Sequence, residues 1–319
     1  MLVGYRAEQD RLVRAPEPLT ADPGLIWLDL YNPTREEEAM VETLIGLDVP
    51  TRDEMEEIEE SSRLYTENGG VFMTAVLPSQ ADIGNPVMAP VTFVLNQGRL
   101  VTVRYHEPRP FRSFPVRAEK TDFGCSSGES VLMALLEAIV DRLADILEKV
   151  GRDIEHLSRT IFGSSSRQHD FTSVLRNIGQ QGDLVSNVLS SLVSLERMFV
   201  FMGPGTSART EIRDSKGRIK TLARDTRYLT EHANFLSGKI TFLLDATLGM
   251  IGIEQNAIIK IFSVAAVIFL PPTLIASIYG MNFADMPELS WIYGYPFALL
   301  LMVGSAALSF WIFKRFGWL

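Results

Sequence analysis

The spacing of apolar positions changes along this chain, and each change predicts a different kind of element. Over roughly the first 120 residues the pattern is mixed. Leu25-Ile26-Trp27-Leu28-Asp29-Leu30 reads as a short strand, as do Leu64 to Tyr65, Val71 to Leu77 and Val91 to Tyr105. The last run is broken by Asn96-Gln97-Gly98-Arg99, a hairpin signal. Thr34 with Glu37, and Thr51 with Glu54, have capping-box spacing and predict helix starts, the second opening an acidic helix over TRDEMEEIEE. From Gly128 the period becomes helical. Leu132, Leu136, Ile139, Leu143, Ile146 and Val150 recur at threes and fours, and the seam continues to Ile161. Gly163 to Ser166 interrupts it. A second helix is expected from about His169 to Met202, stopping at Gly203-Pro204-Gly205. A third starts near Ala208 and meets no proline before Pro271, so one helix of some sixty residues is permitted, on the order of 90 Å long.

Periodicity then gives way to uninterrupted apolarity. Ile261 to Tyr279 and Ile292 to Phe313 are uncharged runs of 19 and 22 residues, each long enough to cross a hydrocarbon core of roughly 30 Å as a helix. Lys239 and Lys260 precede the first run and Lys314-Arg315 follow the second. The connector, MNFADMPELSW, carries Asp285 and Glu288 and no basic residue. Under the positive-inside rule both termini are cytoplasmic and the connector is external. Trp291, Tyr293 and Tyr295 fall where an outer aromatic belt belongs, with Trp311 near the inner one. The N-terminal MLVGYRAEQDRLVRAPEP lacks the apolar core of a signal peptide.

Composition narrows the function classes. With 30 Lys+Arg against 39 Asp+Glu the net charge is -9, which argues against a nucleic-acid partner. One cysteine, Cys125, excludes a disulfide scaffold or a cysteine-rich metal site. His106, His156, His169 and His232 show no ligand spacing, no phosphate-binding G-x-x-x-x-G-K-[ST] loop occurs, and no catalytic constellation emerges. The chain is expected not to be an enzyme and to need no cofactor.

Two spans cannot enclose an aqueous path, so conduction would require several copies around an axis. Stepping back from Gly280 at heptad spacing gives Ser277, Thr273, Leu270, Ala266, Ser263, Ile259, Asn256, Gly252, Gly249 and Asp245, mostly small or polar. Such a stripe serves either tight helix packing or a wetted pore face, with Leu270 and Ile259 as apolar constrictions. Asn256 and Asp245 extend it beyond the apolar run, which favours the pore. Pro271 and Pro272 withdraw donors from the carbonyls of Val267 and Ile268, adding slight support for a wetted lining.

At the outer end stands Tyr279-Gly280-Met281-Asn282-Phe283. A bare Gly-Met-Asn is weak, but its place after the first of two spans, together with IEQNAIIKIF, FLPPTL, MPELSW, GYP and FKRFGWL, closely resembles the CorA family of magnesium and cobalt channels. The earlier part is similar in layout only. The resemblance implies an α+β cytosolic domain, a long stalk helix and two C-terminal transmembrane helices in a homopentameric channel of a bacterial inner (plasma) membrane. On this chain that gives a cytosolic α/β domain over 1–125, a helical region with the stalk over 126–257, a pore-lining span over 258–280, an external loop over 281–293, a second span over 294–313 and a cytosolic tail over 314–319. It makes Gly280, Met281 and Asn282 the selectivity filter and Asn256 a residue needed for permeation. Mg²⁺ is then substrate and regulatory ligand, Co²⁺ and Ni²⁺ are further cargo, and the partners are lipid and further copies of the chain.

The chemistry suits that cargo. Mg²⁺ keeps its water shell, and a ring of Asn282 amide oxygens with Gly280 carbonyls can accept hydrogen bonds from metal-bound water. Asp285 and Glu288 either concentrate cations at the mouth or form an ordinary solvated loop. Asp245 is a candidate ligand for closing magnesium. The run Asp53, Glu54, Glu56, Glu57, Glu59, Glu60 is either a second candidate or a solvated face. A zinc or broad divalent carrier, proton-coupled or not, and a membrane-anchored sensor without conductance are the rival readings.

Overall fold

The computed structural model describes residues 1–16, 19, 24–82, 84, 86–163, 170–203, 215–282 and 286–316. It divides into two compact units, Met1–Leu244 and Asp245–Leu319.

The first unit is built on a seven-stranded sheet of β1 (Leu2–Glu8), β2 (Arg11–Arg14), β3 (Leu25–Tyr31), β4 (Leu64–Glu67), β5 (Gly70–Ser79), β6 (Val87–Asn96) and β7 (Arg99–Arg104). The order is β2-β1-β3-β7-β6-β5-β4, antiparallel throughout except for the parallel pair β3 and β7. That pair requires a crossover, and it contains α1 (Arg35–Ile45), α2 (Arg52–Glu56) and α3 (Glu60–Arg63). Thr34 and Thr51 close the two expected capping boxes, on Glu37 and Glu54. Val41, Ile45 and Met55 bury themselves with Leu28, Leu30, Val94 and Val101 on one face of the sheet. The other face carries α4 (Arg109–Lys120), α5 (Gly128–Phe162) and α6 (Phe171–Phe201). There Trp27 meets Phe114, and Phe93 meets Phe111. The start of α5 lies so close to the β6–β7 turn that a Cβ on Gly128 would stand 2.4 Å from the Leu100 nitrogen, so the docking requires glycine at that position.

One polar cluster ties β3 to β7. Asp29 accepts from Arg104 Nε at 3.1 Å and from its Nη2 at 2.8 Å, and from Thr102 Oγ1 at 2.7 Å. Trp27 Nε1 donates to Thr102 Oγ1, and Arg104 Nη1 donates to the His106 carbonyl. The guanidinium lies over the rings of Tyr31 and Phe111, 4.4 and 4.9 Å from their centroids. Both charges are almost wholly buried, a costly arrangement unless every oxygen and proton finds a partner.

One expectation about this unit needs correction, and two of its elements have no clear sequence signal. The acidic stretch TRDEMEEIEE is two short helices rather than one, since Glu57 is extended (φ −56, ψ 141) and Ile58 is 87% exposed. Only Met55 gives α2 a buried anchor, and carboxylates at helical spacing repel. The N-terminal segment, within the expected α/β domain but without a strand pattern of its own, forms the β1–β2 hairpin around Gln9 and Asp10, both at positive φ. Helix α4 contains Pro110 and Pro115 and was not anticipated; Pro110 sits in the first turn, where its missing donor matters little. Of the second expected helix, His169 lies outside the described residues. α6 is apolar and long enough to span a membrane by composition, yet it packs on β5, where Val76 N–H donates to Ser194 Oγ at 3.1 Å.

Helix α7 runs unbroken from Lys216 to Tyr279, 64 residues, with Pro271 and Pro272 inside it. The second unit consists of its C-terminal portion, a short 3-10 helix (Pro287–Ser290) and α8 (Gly294–Arg315), which continues through Lys314 and Arg315.

Candidate functional site: a two-span hairpin with a polar stripe

Both apolar helices of the second unit are bare. Only 6% of the most apolar window of each is buried, and Phe262, Phe269, Leu274, Leu300 and Val303 all lie open. A soluble protein rarely exposes so much contiguous apolar surface; a bilayer supplies its cover.

Each helix nonetheless has one covered side. On α7 it comprises Val264, Ala265, Ile268, Pro271, Pro272 and Ile275; on α8 it comprises Gly294, Ala298, Met302, Ser305, Ala306 and Ser309. The small residues of α8 at spacings of three and four are those that allow close helix approach. That spacing is visible in the sequence itself.

The heptad stripe lies elsewhere. At about 100° per residue, Asp245, Asn256, Ser263, Leu270 and Ser277 fall on the side of α7 opposite the covered one. Asp245, Asn256, Ile259, Ser263, Ala266, Leu270, Thr273 and Ser277 are all exposed, Ile259 by 61% and Leu270 by 68%. The small and hydroxyl side chains therefore do not serve packing within the hairpin. The proline argument fails for the same reason: Pro271 and Pro272 are half-covered on the hairpin side, so they say nothing of a wetted lining. Thr273 Oγ1 donates to the Phe269 carbonyl at 2.7 Å, leaving its oxygen lone pairs as acceptors toward the stripe.

Gly280 ends α7, its N–H donating to the Ala276 carbonyl at 2.9 Å, and the Met281 N–H reaches the Ile278 carbonyl at 3.3 Å. A Cβ on Gly280 would stand 3.1 Å from the Ala276 oxygen, so the glycine keeps the helix terminus free of side-chain bulk. Met281 is 46% exposed and Asn282 is open. Asp285 lies outside the described residues. Glu288 belongs to the 3-10 helix, and its side chain is outside the description as well.

Within one chain these residues form a line, not an enclosure. Among the described residues no three His, Cys, Asp or Glu side chains converge on a metal position. In the acidic run Glu54 closes a helix cap and Glu56 pairs with Arg52 at 3.1 Å, as expected of a solvated face. His156 and His232 are exposed, the latter beside Phe235. His106 is buried in the sheet domain, where desolvation holds its pKa below the ordinary histidine value. Cys125 is buried too, its thiol pushed up to about 11 by desolvation.

A mixed sheet domain, a 64-residue helix and an apolar hairpin with a polar stripe and a Gly-Met-Asn terminus together define an integral membrane protein of the two-span type. The family model described as CorA-like Mg²⁺ transporter protein matches residues 22–315. The chain belongs to that family. It is 37% identical to the magnesium transport protein CorA of Pasteurella multocida and 34% identical to that of Escherichia coli K12, covering 100% of both chains in each case. Among solved structures it resembles the complete CorA magnesium transporter of Methanocaldococcus jannaschii, with a TM-score of 0.76 at 20% identity, covering 100% of this chain and 99% of that one.

Proposed function

We propose that several copies of this chain, five by family resemblance, assemble with their α7 stripes facing a common axis and conduct hydrated Mg²⁺ into the cell. The observation that carries this reading is the position of the stripe. Asn256, Ser263, Thr273 and Ser277 stand opposite the side on which the hairpin is covered, and polar side chains on a spanning helix belong against protein or water rather than lipid. Full-length relatives named as magnesium transport proteins support Mg²⁺ as the cargo.

In this assembly Asn282 amides and Gly280 carbonyls form the outer filter and hold the ion through its water. Leu270 and Ile259 make apolar rings below it, narrow points that close by dewetting. Asn256 offers the next set of amide oxygens toward the cytosol. Asp285 and Glu288 raise the local cation concentration at the mouth. No pump is needed: about 2.3 kcal/mol per charge per 100 mV gives about 4.6 kcal/mol for a divalent ion. Co²⁺ and Ni²⁺, of similar hydrated form, share the path. Both termini lie in the cytoplasm of a bacterial inner membrane, with the sheet domain on that side.

Proteoliposomes containing the purified protein and a Mg²⁺-sensitive dye test this directly. An inside-negative potential should drive Mg²⁺ entry that persists when the proton gradient is collapsed. Flux that required a proton gradient, or preferred Zn²⁺, would favour the carrier reading; no flux of any ion would leave a membrane-anchored sensor.

Closure is assigned to cytosolic Mg²⁺ held between subunits, with Asp245 as a ligand. Its exposure and its place on the stripe support this role, since copies of the carboxylate around the axis would repel until a divalent ion bridged them. Asp245→Asn should reduce inhibition by internal Mg²⁺ several-fold while preserving maximal flux. Inhibition with an unchanged midpoint would remove Asp245 from the sensor.

A further inference from the structure

The head contains a cavity of about 520 Å³ that the transport reading does not use. It lies where the end of β5, the segment after β7, the start of α4 and one turn of α5 converge. Three guanidinium groups line it: Arg109 and Arg112 from α4 and Arg142 from α5. Asp82, also in the wall, accepts from Arg142 at 2.7 Å and Arg109 at 3.3 Å. The Arg142 hydrogen bond is the leading cause holding its carboxyl below the usual range, although burial opposes it. With Glu107 as the second carboxylate, the wall has three cations against two anions. Arg112 is exposed and has no partner among the described residues. The first turn of α4 has neither a side-chain cap nor an acidic residue, so the end of its dipole adds to the positive side of the wall.

Uncharged groups complete the wall. His106 lines the same cavity and is 7% exposed. Its Nε2 lies 2.8 Å from the Leu77 carbonyl, while its Nδ1 is buried without a partner. With Nε2–H donating to Leu77, the imidazole is fixed as part of the wall, and its Nδ1 faces protein rather than the open space. Tyr31 and Tyr105 add aromatic surface.

We propose that this cavity binds a small organic phosphate, with Arg112, Arg109 and Arg142 taking the phosphate and the rings of Tyr31 and Tyr105 taking the organic part. Guanidinium matches phosphate geometry, and the cavity is within the size range of small-molecule sites, with far more room than inorganic phosphate fills.

The test is isothermal titration of the full-length, detergent-purified protein with AMP in the presence of EDTA, with inorganic phosphate and adenosine as competitors. The proposal expects saturable AMP binding, competition by phosphate, little competition by adenosine, and at least tenfold weaker binding in Arg112→Gln at an unchanged unfolding temperature. Arg109→Gln is the second variant, should the first unfold. Absence of saturable AMP binding, binding of phosphate alone, or equal affinity in wild type and both variants would overturn it. Because the readout is binding rather than flux, it stands or falls apart from the transport assignment.

Discussion

Asn282→Ala should reduce Mg²⁺ flux in proteoliposomes by at least about tenfold, with no change in oligomeric state or unfolding temperature. Asn282 is exposed just beyond the last turn of α7 and supports no packing in one chain, so its loss does not disturb the fold. What disappears is a ring of amide oxygens able to accept from the ion's water shell. Tenfold in rate corresponds to about 1.4 kcal/mol in the barrier, less than several lost charge-assisted hydrogen bonds are worth together. Asn282→Asp is the informative companion. A ring of charge attracts Mg²⁺ more strongly but delays its release, so apparent affinity should rise while maximal flux falls. Wild-type flux in Asn282→Ala would remove the filter from this residue.

The largest effect on stability is expected from Asp29→Asn. The carboxylate accepts three hydrogen bonds, two from Arg104 and one from Thr102, and the pair is almost inaccessible to solvent. An amide there is nearly isosteric but leaves the guanidinium charge unbalanced and sets an N–H₂ against one of its donors. Breaking a buried ion pair from one side costs about 3 to 5 kcal/mol, measurable as a lower denaturant midpoint for the protein. Replacing both partners, as in Asp29→Leu with Arg104→Met, should recover much of that loss, because no charge is then stranded. If Asp29→Asn unfolded like wild type, the cluster would not be what ties β3 to β7.

The membrane hairpin was the most legible part of the chain because lipid leaves few options. A span needs about twenty apolar residues, and Ile261–Tyr279 and Ile292–Phe313 meet that length without a charge. The capping boxes at Thr34 and Thr51 were legible because the reciprocal hydrogen bonds depend on residues three apart. The β1–β2 hairpin was hidden because Gln9 and Asp10 occupy left-handed backbone positions where glycine or asparagine is the usual signal. Pro115 concealed α4, which tertiary contacts hold in place around Phe111 and Phe114. Of the candidate site, the stripe and the Gly-Met-Asn segment could be read directly, but not which side of α7 the hairpin covers. That depends on how Val264, Ile268 and Ile275 are covered, a tertiary fact to which heptad spacing is indifferent. The cavity beside His106 was invisible for a similar reason: Asp82, Arg109 and Arg142 meet only after the sheet has formed.

The central claim is that the Asn256–Ser277 side of α7 faces water inside an assembly. Cysteine accessibility tests it most directly, since the native Cys125 is buried with its thiol pushed up to about 11 and gives little background reaction. Ser277→Cys and Ile278→Cys place a thiol at nearly one depth but about 100° apart around the helix. A positively charged, membrane-impermeant thiol reagent should modify Ser277→Cys and block Mg²⁺ flux while leaving Ile278→Cys unmodified. Modification of Ile278→Cys with Ser277→Cys untouched would place the polar stripe against lipid and contradict the account.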